Sequence, residues 1–271
     1  MLLWLTDIHL NFLPSFGALA FGEHLIKSYP DAQGAIITGD ISVATMLDMH
    51  LGDLTMGFGK PVWFVLGNHD LYYGNAYEAA YIARRITSKT EGLAIWLTEA
   101  KPIELAPGVT LVGNDGWYDG RFGLGKASNV ELTDWEVIGD FRGRPKDELL
   151  RLIRNMADAK AREAYKSLRR ALEAGYQTVI FATHVSPFKE STWHNGKISD
   201  DNWLPWFSSK VMGACLLKVA KEFPKTRIIT LCGHSHSRGR YEAAPNMTVL
   251  TGRADYGVPI VEMVLDPLNL P

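Results

Sequence analysis

Short apolar runs recur along the chain, and each breaks off at a polar turn. Residues 2–5 lead into Thr6-Asp7, residues 35–37 into Thr38-Gly39-Asp40, and residues 61–66 into Gly67-Asn68-His69-Asp70. Residues 178–182 lead into Thr183-His184, and residues 227–232 into Gly233-His234-Ser235-His236. Each run is rich in β-branched or aromatic residues and too short for a helix, the pattern of a strand buried on both faces. Between them, residues 18–28, 44–58, 76–88, 147–174 and 207–223 read as helices, the fourth stopped by Gly175 in the manner of a C-cap. The alternation predicts a largely parallel or mixed sheet covered by helices. In such sheets ligand sites form at the carboxyl ends of the strands, and all five polar turns fall there. After Gly233, residues 240–243, 248–251 and 260–265 read as a closing β-meander.

Two stretches break the alternation. Residues 114–145 are rich in Gly, Asp, Arg and aromatics, and residues 186–205 hold Trp193, His194 and Trp203. Long irregular stretches in compact chains serve as lids or substrate loops, and the aromatics favour ordered loops. No repeat, low-complexity tract or linker interrupts the chain, so residues 1–271 are expected to form one domain carrying these two loops.

Composition narrows the class. The 271 residues include 28 Lys and Arg against 30 Asp and Glu, a formal charge of -2. That balance argues against an extensive nucleic-acid surface. No apolar run reaches the roughly 20 residues of a membrane helix, and the N-terminus lacks the basic flank of a signal peptide. The two cysteines, Cys215 and Cys232, cannot make a disulfide framework and read as small core residues. A cytoplasmic, reducing location is the expectation.

The eight histidines are the informative count. Five of them fall in the polar turns, which read in order Asp7-Ile8-His9, Gly39-Asp40, Gly67-Asn68-His69-Asp70, His184 and Gly233-His234-Ser235-His236. Taken singly, each is an ordinary turn, a cap or a core histidine. Five together at five strand ends point to one site. Imidazole and carboxylate are the donors that zinc, manganese, iron and nickel take. In an extended turn, side chains at i and i+2 share a side, so Asp7/His9 and His234/His236 are each spaced to face one site. Gly39, Gly67 and Gly233 let the backbone turn sharply beside bulky donors. His24 and His50, in helical stretches, read as surface or packing residues.

The order and spacing of these turns resemble the calcineurin-like metallophosphoesterase superfamily, whose elements run D-x-H, G-D, G-N-H-D/E, H and G-H-x-H. All five are present between residues 7 and 236. The resemblance implies a four-layer α/β/β/α sandwich of two mixed sheets. It implies a pair of divalent ions, the first held by Asp7, His9, Asp40 and His236, the second by Asp40, Asn68, His184 and His234, with Asp40 between them. It implies hydrolysis of phosphate esters, mono- or diesters, by a metal-bridging hydroxide attacking phosphorus in line. His69 would then face the leaving group as general acid or donate a hydrogen bond to the phosphoryl oxygen, oriented by Asp70. The metals stay open among manganese, iron, zinc and nickel. The chain departs from the family at Asp40-Ile41-Ser42-Val43, where an acidic or amide residue often follows, and at Thr183-His184, where many members carry paired histidines.

The substrate expected is a small phosphate ester, nucleotide-like in one reading. Trp117, Trp135, Trp193, Trp203 and Trp206 are set either to pack the irregular segments or to form a stacking wall for a ring. Asn68, Trp117 and His194 are candidate substrate contacts, and Arg121 could pair with a second phosphate. A protein phosphatase or nuclease on the same fold is the alternative enzyme. A non-catalytic scaffold is the alternative class, although a scaffold has no need of Asp40, His69 and all the metal histidines together.

Overall fold

The computed structural model describes all 271 residues. The first half alternates as the sequence predicts through β1 (Leu2–Leu5), α1 (Gly17–Ser28), β2 (Gly34–Thr38), α2 (Ala44–Phe58), β3 (Val62–Val65) and α3 (Ala76–Lys89), and β4 (Ala94–Trp96) follows. Next come β5 (Ile103–Ala106), β6 (Val109–Gly113), the one-turn helix α4 (Asp134–Val137) and the long α5 (Lys146–Glu173). The chain continues through β7 (Thr178–Ala182), a two-residue hairpin β8 (Trp193–His194) and β9 (Lys197–Ile198), α6 (Leu204–Phe207) and α7 (Lys210–Glu222). It closes with β10 (Arg227–Cys232), β11 (Gly239–Ala244), β12 (Met247–Thr251) and β13 (Met263–Leu265).

Two mixed sheets result. The first runs β13-β1-β2-β3-β4, parallel except for β13. The second runs β11-β12-β10-β7-β6-β5, with antiparallel strands at both edges. Alternate side chains of one strand point to opposite faces, and the layers follow from that. Leu2 and Trp4 join Ile36, Trp63 and Val65 in a core shared with Leu111, Ile180, Ile229, Leu231 and Leu250 of the other sheet. Leu3 and Leu5 face the other way, with Leu47, Leu51, Leu54, Ala79, Ala83 and Ile86 of α2 and α3. On the far side α5 and α7 pack Leu168, Leu172, Leu216 and Val219 on Val179, Phe181 and Ile228. The arrangement is the expected α/β/β/α sandwich, and both sheets turn the carboxyl ends of their parallel strands to one rim.

The closing segments differ from a meander. Only β11 and β12 form a hairpin, and β12 then pairs parallel with β10. β13 leaves for the other sheet and lies antiparallel to β1. The expected helix over 207–223 is broken at Ser208 and Ser209, both extended, and Ser208 bridges to Ser186. The Ser208 hydroxyl donates to the Leu204 carbonyl, which ends α6 before α7 begins. Strands β4, β5 and β6 carried no expectation, being short and, in β5, half exposed. Pro107-Gly108, with Gly108 at φ 77°, makes the tight turn that joins β5 to β6. No helix is long and apolar enough to cross a membrane.

Candidate metal centre

Asp7, His9, Asp40, Asn68, His184, His234 and His236 meet at the rim where the two sheets abut. Two groups of donors form there: Asp7, His9, Asp40 and His236, and Asp40, His184 and His234, the donor atoms of each lying within 4.8 Å of one another. Asp40 belongs to both. Its Oδ1 lies 3.3 Å from His184 Nε2 and its Oδ2 lies 3.9 Å from His9 Nε2. Asn68 Oδ1 is 3.1 Å from His184 Nε2. His236 Nε2 is 3.3 Å from Asp7 Oδ1 and 3.4 Å from His9 Nε2.

The convergence does not come from extended backbone. Asp7, His9, Asp40, His234 and His236 all sit at positive φ, between 40° and 69°. Side chains rarely accept that region, and a cluster of such residues marks a site where structure overrides local preference. Asp7/His9 and His234/His236 do converge, but not by the alternation of an extended turn. Left-handed turns, not strand alternation, aim them inward. Two glycines are needed for closeness rather than for φ. A Cβ on Gly67 would stand 2.1 Å from Asp40 Oδ1, and one on Gly233 would stand 2.0 Å from Asp7 Oδ2. Gly39 alone of the three takes a positive φ, 88°.

Backbone carbonyls choose the free nitrogen of two rings. His184 Nδ1 donates to the Thr38 carbonyl at 2.8 Å, so Nε2 faces Asp40 and Asn68. His234 Nε2 donates to the Trp206 carbonyl at 2.9 Å, which leaves Nδ1 as its donor atom. Fixing the tautomer through the second nitrogen is how metal-binding imidazoles are commonly held. His9 Nδ1 is buried without a partner.

Carboxylates and imidazoles in this cluster shift one another's protonation. Burial opposes charge on His184, but the Asp40 and Asp7 carboxylates and the Thr38 carbonyl outweigh it and raise the ring to about 10. Burial also opposes charge on His236, and Asp7 raises it nonetheless. Burial would raise Asp7, but His236 and His184 hold it at about 2. Asp40, likewise resisting burial, is held well below the carboxylate range by His184, His69 and His9. Burial lowers His9 and His234 to about 4, neighbouring imidazoles adding to the effect. Buried carboxylates paired with buried imidazoles whose free nitrogens point at one another are a donor set that fits divalent cations.

His69 lies beside this cluster without being central to it. Its Nε2 is 4.0 Å from Asp40 Oδ2 and its ring stacks on Tyr72, centroids 4.1 Å apart. Its backbone N–H donates to Asp40 Oδ1 at 2.8 Å. Asp70 does not orient the His69 ring. The Asp70 carboxylate accepts from the backbone N–H groups of Ile41, Ser42 and Gly67 at 2.8–2.9 Å, tying the turn after β2 to the turn after β3. Burial and Asp40 push it up to about 8 against those donors. These bonds supply the support that the Asp40-Ile41-Ser42-Val43 stretch lacks in its own sequence.

The substrate expectations divide. His194 lines the cleft above the cluster, as do Trp203, Phe207, Phe12 and Tyr256. Trp117 does not. It is buried against Tyr118 and Phe141 in the core. Arg121 is tied to Asp119 at 3.2 Å and Asp158 at 2.8 Å, away from the cleft, so its charge is already answered. Trp206 is fully buried and contributes its carbonyl, not its ring.

Sequence reasoning missed Asp134, at the start of α4. It is 2 % exposed. Its Oδ1 accepts from Asn68 Nδ2 at 3.0 Å and from the Tyr72 hydroxyl at 2.6 Å, and its Oδ2 from the Tyr118 hydroxyl at 2.9 Å. Nothing in the sequence around it distinguishes it from Asp119 or Asp140. Asp115, just past β6, was missed with that strand. It accepts from Leu66 N–H, Trp96 Nε1, Thr98 Oγ1 and Lys160 Nζ, bracing the segment that carries Asn68.

Comparison with known proteins agrees with this geometry. Residues 2–238 match the calcineurin-like phosphoesterases, and the chain belongs to that family. It is a metal-dependent hydrolase of phosphoesters. Among solved structures it is similar to the phosphopantetheinyl hydrolase of Mycobacterium tuberculosis, TM-score 0.64 at 16% identity, covering 94% of this chain and 89% of that one. It is also similar to a dimetal phosphatase from Danio rerio, TM-score 0.57 at 11% identity, covering 98% and 89%. A third is the protein TT1561 of Thermus thermophilus, TM-score 0.52 at 13% identity, covering 93% and 88%. At these identities the likeness is one of fold. No curated protein matches the sequence.

Proposed function

We propose that the chain hydrolyses small phosphodiesters at a pair of divalent cations that share Asp40. The observation that carries this reading is the division of one carboxylate: Asp40 Oδ1 turns to His184 and Oδ2 to His9. Asp7, His9, Asp40 and His236 would hold the first cation, and Asp40, Asn68, His184 and His234 the second. When bound, the pair supplies positive charge to the phosphoryl oxygens and makes a water acidic enough to serve as nucleophile near neutral pH. Manganese, iron, zinc or nickel suits these donors.

The chain's own residues do the rest. His69 Nε2 reaches the same space as the donor atoms and gives a proton or hydrogen bond to the leaving oxygen. Tyr72, stacked on it, fixes the ring plane. The cleft holds about 410 Å³, and none of its lining residues is Lys or Arg. No lysine or arginine awaits a second phosphate, and a nucleic-acid track finds no support there. Aromatic rings flank the floor on two sides: Phe12 and Tyr256, 4.9 Å apart, near His9, and Trp203 and Phe207, 5.1 Å apart, near His194. A single negative charge carrying two uncharged substituents fits that lining better than a monoester dianion.

The whole chain acts in this reading as one catalytic unit. Segment 114–145 supplies Glu131, Leu132 and Thr133 to the cleft, and segment 186–205 supplies His194 and Trp203. The two free cysteines are compatible with a reducing, cytoplasmic setting. The test is a rate comparison on manganese-loaded protein with bis-p-nitrophenyl phosphate and p-nitrophenyl phosphate. A higher kcat/KM for the diester is expected. A preference for the monoester overturns the diester assignment, and no turnover of either overturns the reading.

A further inference from the structure

We propose that Asp134 is a positioning residue that fixes which end of the Asn68 amide faces the second cation. This inference rests on the reading of Asn68 as a donor to that cation. An amide has one end that can bind a cation, its oxygen, and one that cannot, its NH2. The two ends have nearly the same shape, so something must select the orientation. Asp134 does so, because its Oδ1 is an acceptor that takes both the Asn68 NH2 and the Tyr72 hydroxyl. With Asn68 Nδ2 donating to Asp134 Oδ1 at 3.0 Å, Asn68 Oδ1 is left facing His184 Nε2 at 3.1 Å. A flipped amide would set oxygen against carboxylate oxygen where both side chains are buried.

The carboxylate is itself held in place. The Tyr72 hydroxyl shares Oδ1 and the Tyr118 hydroxyl takes Oδ2, so Asp134 has little freedom to turn. Both tyrosines also lie against site imidazoles. Tyr72 stacks on His69, and the Tyr118 ring lies within 8° of parallel to His234 at 6.1 Å. The residues just before Asp134 form part of the cleft wall. One carboxylate thus joins the irregular segment 114–145 to the amide, to the ring beside the leaving group and to a ring of the second donor group. A plain core anchor would hold the segment down without discriminating between the two cations.

The test is titration of metal-free protein with Mn²⁺ by calorimetry, with electron paramagnetic resonance reporting the spin-coupled pair. Wild type takes up two equivalents. Asp134→Leu weakens the second by about 10- to 100-fold, the usual cost of losing a partner that orients a ligand, and leaves the first unchanged. Asp134→Asn keeps an acceptor oxygen for Asn68 Nδ2 and restores the second affinity. On an Asn68→Ala background Asp134→Leu adds no further loss. If Asp134→Leu does not fold, Asp134→Glu replaces it, keeping the charge but moving the oxygens by a methylene, with the same selective loss expected. Wild-type affinity for both equivalents in the variant that folds overturns the proposal, as does an equal loss of both or a further loss without Asn68. A wild type that binds only one equivalent overturns it together with the reading of the second cation. That failure appears before any variant is made.

Discussion

His9 Nε2 and His236 Nε2 face each other at 3.4 Å, although 227 residues separate them in the chain. At most one of the two nitrogens can donate comfortably to the other, and Asp7 and Asp40 complete a ring of acceptors around them. Such an arrangement is costly unless a cation fills it. Metal binding is therefore expected to stabilise the fold. At free Mn²⁺ about 100-fold above its Kd, binding adds about 2.7 kcal/mol, or about 5–10 °C in Tm for a chain of this size. Thermal unfolding with Mn²⁺ and with a chelator measures the difference. Equal Tm values would mean that the cluster holds no ion.

The raised rings of the metal-free cluster predict proton release. His184, raised to about 10, is protonated at neutral pH, and His236 is shifted in the same direction by Asp7. A cation needs their lone pairs, so it must displace those protons. Apparent metal affinity therefore falls as pH falls below about 10, because protons then compete for the same nitrogens. Calorimetry near neutral pH in buffers of different ionisation enthalpy should report about one to two protons released as both sites fill. Buffer-independent heats and a pH-independent affinity would count against this ligand set.

Gly233 has no room for a side chain. A Cβ there meets Asp7 Oδ2 and Thr6 Oγ1 at 2.0 Å. Gly233→Ala must push Asp7 out of line, and an overpacked buried site of this kind costs about 1–3 kcal/mol. The first cation should bind markedly less tightly in this variant than in wild type, as read from the Mn²⁺ isotherm. An unchanged first equivalent would show that Asp7 is not a ligand.

His69 and Asp70 should separate cleanly despite being adjacent. His69→Ala keeps both metal equivalents and lowers kcat about 10²- to 10⁴-fold, the range for loss of a general acid. Asp70→Ala removes the acceptor for three backbone N–H groups that brace the Asp40 turn. It should lower Tm and weaken metal binding before it affects the chemistry. Metal content and kcat measured on both variants decide between these roles. If Asp70→Ala instead behaves like His69→Ala, with full metal and low kcat, Asp70 does act through the imidazole.

The sequence was most legible where function and topology coincide. The strand ends at Asp7, Asp40, Asn68, His184 and His234 could be read because buried strands are short and apolar and a polar turn after one is conspicuous. Helices α2 and α3 match their expected ranges to within a residue at each end. The rest depends on partners distant in the chain. β13 pairs with β1, more than 250 residues away, and no local pattern announces that choice. Asp134 gains its role only through three donors brought from other segments. In the sequence Trp117 is open between packing and substrate contact, and Arg121 is a candidate partner for a second phosphate. The fold buries the first against Phe141 and pairs the second with Asp158. Local chemistry can suggest such residues, but only tertiary packing determines whether they face solvent.

The most direct measurement titrates metal-free protein with Mn²⁺ while following bis-p-nitrophenyl phosphate hydrolysis, with Asp40→Asn run beside wild type. The wild-type rate should rise to a plateau as the second equivalent binds and fall back on chelation, while Asp40→Asn stays near the metal-only blank. Full rate at one bound equivalent, or comparable turnover by Asp40→Asn, would contradict a cation pair built around the shared carboxylate.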